Sequence, residues 1–84
     1  MKNYPVQIIS TIQNKDNSVI SDFIKSIDYK MKGDGFYYED KPHLIMYTFS
    51  YTNAVRFMKL LEHLGYSFEI KLYVKTINGV AIYE

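Results

Sequence analysis

Apolar positions recur along this chain with two different periods. Val6 to Ile12 (Val-Gln-Ile-Ile-Ser-Thr-Ile) is a short run rich in β-branched residues and reads as a first strand. Alternation places Val6, Ile8, Ser10 and Ile12 on one face and Gln7, Ile9 and Thr11 on the other. Two partly apolar faces predict a central strand. After a polar stretch, Asp16, Asn17 or Ser18 can cap a helix. Within it Val19, Ile20, Phe23, Ile24, Ile27 and Met31 recur at helical spacing. They fill an arc of roughly 140° on a 100° wheel, so this helix buries one side. Gly33-Asp34-Gly35 ends it.

Phe36-Tyr37-Tyr38-Glu39 reads as a second strand, and Asp40-Lys41-Pro42 as a turn. His43 to Tyr51 reads as a third strand, with Ile45, Tyr47, Phe49 and Tyr51 on one face and Leu44, Met46, Thr48 and Ser50 on the other. Thr52 or Asn53 then caps a second helix, Ala54 to Leu64, and Gly65 stands where a left-handed cap needs it. Phe68 to Thr76 alternates cleanly. Phe68, Ile70, Leu72 and Val74 are expected to face inward, and Glu69, Lys71, Tyr73 and Lys75 outward. Asn78-Gly79 predicts a type I′ hairpin turn. It sets Ile77 opposite Val80, Lys75 opposite Ile82 and Val74 opposite Tyr83, so Tyr83 is expected on the face of Leu72.

The order is β-α-β-β-α-β with one strand appended. It resembles the ferredoxin-like split βαβ arrangement. The resemblance implies an α+β fold: an antiparallel sheet with the first and third strands central, both helices on one face, and a C-terminal hairpin strand at the end. Residues 1–84 form one domain, because a chain this short cannot divide its core.

Composition narrows the chemistry. The chain is 48% hydrophobic and 23% charged, within the globular range. It contains no Cys, which removes thiolate metal sites, disulfides and Cys nucleophiles. No apolar run is long enough for a signal peptide or a membrane span. A cytosolic protein with no membrane partner is expected. A net charge of +1 supplies no strong field toward nucleic acid or anionic lipid. Ile, Lys, Asn and Tyr supply 33 residues against nine from Ala, Arg, Gly and Pro. That skew points to AT-rich coding, as in many low-GC bacteria, their phages and some archaeal viruses. For a phage-borne chain the compartment is the host cytoplasm.

Candidate catalytic groups do not converge. His43 and His63 are 20 residues apart, with no serine or carboxylate aligned to either. Asp34, Glu39, Asp40 and His43 cluster, but Phe36-Tyr37-Tyr38 breaks the alternation a calcium loop requires. Lys32-Gly33-Asp34-Gly35 follows a helix instead of leading into one, so it cradles no phosphate. No enzyme, metal or cofactor is expected. The third-strand octamer of RNA-recognition motifs runs basic, glycine, aromatic; Pro42 to Phe49 matches only at its final aromatics, and the first strand has no aromatic.

Surface, not chemistry, is in excess. The apolar positions of the second helix (Ala54, Val55, Phe57, Met58, Leu60, Leu61, Leu64) sweep roughly 220°, more than one sheet needs. An interface, either to a second copy or to another protein, is therefore expected at Phe57, Leu60 and Leu64. Tyr47, Phe49 and Tyr51 are expected to join it where strand three turns them to an open sheet face. A one-residue slip inverts that face, and the alternative is that the same aromatics complete a small core. The expectation is a small interaction protein that forms a homodimer and binds, modulates or inhibits a larger protein, such as a host or defence enzyme. The alternative is single-stranded nucleic-acid binding through Lys71, Tyr73 and Lys75, a basic and stacking stripe on one strand face.

Overall fold

A computed structural model describes residues 4–27, 30–31 and 42–84. Its strands are β1 (Val6–Ile12), β2 (Lys30–Met31), β3 (His43–Phe49), β4 (Phe68–Ile77) and β5 (Val80–Tyr83), and its helices α1 (Asn17–Lys25) and α2 (Tyr51–Leu64). The result is an α+β fold with two helices on an antiparallel sheet in the order β2-β3-β1-β4-β5. β1 and β3 are central, as their two-faced apolarity requires. Val6 lies opposite Phe49 and Ile8 opposite Tyr47 in their shared register.

One sheet face carries the core. Val6, Ile8 and Ile12 from β1 and Ile45, Tyr47 and Phe49 from β3 are buried there. Ile20 and Ile24 of α1 and Ala54, Phe57 and Leu61 of α2 close over them. Ser10, buried on the same face, donates its hydroxyl to the Ser67 carbonyl at 2.7 Å, which removes the cost of an unpaired polar group.

Phe57 is the centre of this packing. Its ring centroid lies 4.9 Å from Phe49, 5.5 Å from Phe23 and 5.8 Å from Tyr47, the last in an edge-on arrangement. Much of the apolar arc of α2 is thereby explained. Ala54, Phe57 and Leu61 enter the core, and Met58, Leu60 and Leu64 pack against it. Phe57 also meets Phe23 of α1, while Val55 stays exposed.

Local signals succeed and fail for identifiable reasons. Gly65 ends α2 at φ 88°, with the Tyr66 N–H bonded to the Leu61 carbonyl. Glycine is favoured there because the left-handed backbone brings a Cβ close to the chain's own carbonyl. Asn78 (φ 50°) and Gly79 (φ 78°) form the expected hairpin turn. The cap of α2 is Ser50, not Thr52 or Asn53; its side chain accepts the Asn53 N–H. β3 therefore stops at Phe49, and Tyr51 opens the helix. α1 is shorter than its apolar spacing suggests. The Ser26 hydroxyl donates to the Phe23 carbonyl at 2.6 Å and closes the last turn. Met31, expected on that helix, instead pairs with Tyr47 in β2. The expected second strand at 36–39 and the glycine-rich turn at 32–35 lie outside the described residues.

Tyr66 ties the two connections at one end of the sheet together. Its hydroxyl donates to the Asp16 carboxylate and accepts the Gln13 N–H at 3.0 Å. Burial pushes its phenol above the ordinary value, and the bond to Asp16 adds to the shift. Among the described residues, no helix is long and apolar enough to cross a membrane.

Two outcomes are expected. Phe57→Ala should cost about 3–5 kcal/mol, much of the stability of a domain this size. Tyr51→Ala, on an exposed side chain, should change stability by less than about 0.5 kcal/mol. Urea midpoints compare them, and equal losses would displace Phe57 from the centre. Tyr66→Phe should cost about 1 kcal/mol at neutral pH. Because the folded phenol is harder to ionise, its contribution is complete below pH 10.0 and fades as pH rises through the raised folded value. The gap between wild type and Tyr66→Phe should therefore narrow at high pH. A gap that widened there would contradict this account.

Candidate protein-interaction site

Burial corrects the expected interface. Tyr47, Phe49 and Phe57 are at most 1% exposed and lie at the centre of the core, so no docked partner can touch them. The slip that sequence alone leaves open, which face β3 turns to the helices, is settled by the pairing of Ile8 with Tyr47. Leu60 and Leu64 are partly buried and packed against the same core. Of the six residues expected at this interface, Tyr51 alone stands clear, at 65% exposure.

The expected basic stripe is also divided. β4 contains an irregularity between Tyr73 and Lys75. An extra residue in one strand turns the following side chains to the other face. Ile77 pairs with Val80 and Lys75 with Ile82, as the turn dictates, but Tyr83 pairs with Tyr73 instead of Val74. Tyr83 consequently lies on the open face, not the helix side. Lys75, opposite Ile82, is on the helix side, away from Lys71 and Tyr73.

The tyrosines left on the open face have partners. Tyr73 and Tyr83 meet edge-on at 5.8 Å. The Tyr73 hydroxyl shares a 2.6 Å hydrogen bond with Thr76, and the Tyr83 hydroxyl donates to the Tyr4 carbonyl at 2.8 Å. Burial raises the Tyr83 phenol, partly offset by a hydrogen bond from Thr48. Gln7 and Thr48, on this face, are buried. Lys71 is 3.9 Å from Glu69.

Exposed apolar surface is found on β4 and β5 instead. β4 has ten residues, but only Phe68 to Leu72 pair with β1. Its second half pairs with β5 alone and overhangs the sheet as a two-stranded ribbon. Ile70 and Leu72 pair with the buried Ile8 and Val6, so they point to the helix side. Ile77, Val80 and Ile82 share that side by register. The helices cover β1 and β3 but stop short of this ribbon. Ile70 is 43% exposed, Leu72 and Val74 49%, Ile77 47% and Val80 50%. The inward prediction for Ile70 and Leu72 was right about the face and wrong about the cover. The strand lengths signal only the overhang beyond Leu72. Ile70 and Leu72 lie within the segment paired to β1 and are exposed because the helices do not cover them.

Other features offer little chemistry. A shallow open groove of about 460 Å³ is lined by Ile9, Thr11, Leu44, Tyr66 and Glu69 among others. Among its described lining residues Glu69 alone is charged. His63 is exposed at the last turn of α2, and the side chain of His43 lies outside the described ones. Asp34, Glu39 and Asp40 lie outside the described residues; among those described, no three groups could hold a metal. Comparison with protein-family models, with curated proteins and with solved structures finds no match.

Proposed function

We propose that this chain is a non-enzymatic interaction protein that binds a larger protein and modulates or inhibits it. The observation that carries this reading is the apolar stripe on the β4–β5 ribbon: Ile70, Leu72, Ile77 and Val80 on one face, with Val74 at the irregularity between them. Exposed apolar surface left beside a completed core marks an interaction site, and here Lys75 alone stands among the aliphatic side chains of β4 on that face. Branched aliphatic side chains on a paired ribbon present it at low cost in conformational entropy. The strand order, with β3 between β1 and β2, supports a ferredoxin-like fold whose added hairpin strand carries the site. Nucleic-acid binding is the weaker reading, because the Lys71–Tyr73–Lys75 stripe is broken and both tyrosine hydroxyls are engaged.

The test places a photo-crosslinking side chain at Val80 and recovers partners from cells expressing the gene. A discrete protein should be captured, and the combined change Ile77→Lys with Val80→Lys should abolish capture while the thermal midpoint changes little. Capture that survives both lysines would remove the stripe from function. In parallel, labelled single-stranded RNA and DNA should show no saturable anisotropy change. Saturation that weakens steeply with salt and is lost in Lys71→Ala would instead support nucleic-acid binding.

A further inference from the structure

The stripe on one copy is small for the role proposed. Five Ile, Leu and Val side chains at roughly half exposure present on the order of 400 Å², about the size of the largest patch on an ordinary monomer. A standard protein interface takes about 800 Å² from each partner. A second copy of this chain, set beside the first so that the two stripes run together, would supply the difference.

The free edge of β5 allows that arrangement. β5 is last in the sheet order, and among the described residues nothing pairs with its outer side. The pairs Ile77–Val80 and Lys75–Ile82, and the Glu84 N–H bonded to the Leu72 carbonyl at 2.9 Å, direct the backbone groups of Val80, Ile82 and Glu84 toward β4. By alternation, the N–H and C=O of Ala81 and Tyr83 point outward. The strand reads Val-Ala-Ile-Tyr, with neither the charge nor the proline that often keeps an edge from pairing. A net charge of +1 puts little repulsion between two copies.

We propose that the protein forms a two-fold dimer by antiparallel pairing of β5 with β5 of a second copy. The axis passes between the two Ile82 residues. Ala81 then faces Tyr83 of the other copy and exchanges both backbone hydrogen bonds with it, the small side chain leaving room beside the ring. Ile82 meets Ile82 on the helix side as a close, non-hydrogen-bonded pair. A two-fold perpendicular to the sheet keeps both helix layers on one face. The two stripes become the floor of a single trough between them, aliphatic apart from the two Lys75 residues and about twice the area of one. The functional importance of that trough rests on the interaction reading above; the pairing itself does not.

Sedimentation of the full chain from about 1 to 500 µM should show a reversible monomer–dimer equilibrium. Ala81→Pro removes one outward N–H and none directed at β4. It should weaken the dimer by about tenfold or more. Should that variant misfold, Ile82→Cys decides, since the chain has no other thiol. Under mild oxidation it should crosslink to dimer far faster than Val19→Cys, an exposed position on α1. A chain monomeric throughout, a dimer indifferent to a folded Ala81→Pro, or equal crosslinking of the two cysteine variants would overturn the pairing. The two proposals fail separately. A β5-paired dimer whose partner capture ignores Ile77→Lys with Val80→Lys leaves this inference standing and removes the function. A monomer whose capture depends on those residues does the reverse.

Discussion

Phe57 imposes the constraint on which the rest of the molecule depends. An 84-residue chain without disulfides has a small core, and here one ring joins its three parts. Phe57 contacts Phe49 and Tyr47 on β3 and Phe23 on α1. Offset and edge-on ring pairs add to the gain from area alone. Because these aromatics complete the core, they are not available to a partner. Four of the chain's 14 aromatic residues, Phe23, Tyr47, Phe49 and Phe57, hold the two helices to β3.

That economy has a geometric consequence. Two short helices, of nine and 14 residues, cover the width of β1 and β3 and no more. β4 continues for five residues beyond its pairing with β1, and β5 lengthens the overhang by folding back on it. The helix-side face of this ribbon therefore stays apolar without becoming core. A two-stranded ribbon is marginal alone in water. Here it is anchored at its base by the Leu72–Glu84 bonds and by the Tyr73 N–H bonded to the Pro5 carbonyl at 2.9 Å.

The irregularity at Val74 decides how the ribbon presents itself. It places Tyr83 beside Tyr73 on the open face, where the pair covers part of the sheet and joins Tyr4 and Thr48 through the Tyr83 hydroxyl. It also moves Lys75 among the aliphatic residues of the other face. One inserted residue thus converts a regular basic and aromatic stripe into two surfaces of different character. One is internally bonded through its hydroxyl groups, and the other is aliphatic apart from Lys75 and uncovered.

The sequence alone determined the local elements. β-branched alternation marked β1 and β4, Gly65 marked the end of α2, and Asn78-Gly79 fixed the hairpin and the pairs nearest its turn. These signals act over a few residues, so they need no tertiary context. Only the tertiary structure decided the rest. The buried face of β3 depends on register against β1, and one residue of slip would invert it. The place of Met31 depends on where α1 stops. The burial of Phe57 depends on Phe23 of α1 meeting it above β3, and the partial burial of Leu60 and Leu64 on their packing against the same core, neither of which a helical wheel contains. The exposure of Ile70, Leu72, Ile77 and Val80 depends on how far the helices reach across the sheet. Periodicity assigns a side chain to a face, but only the packing of the other elements determines whether that face is covered.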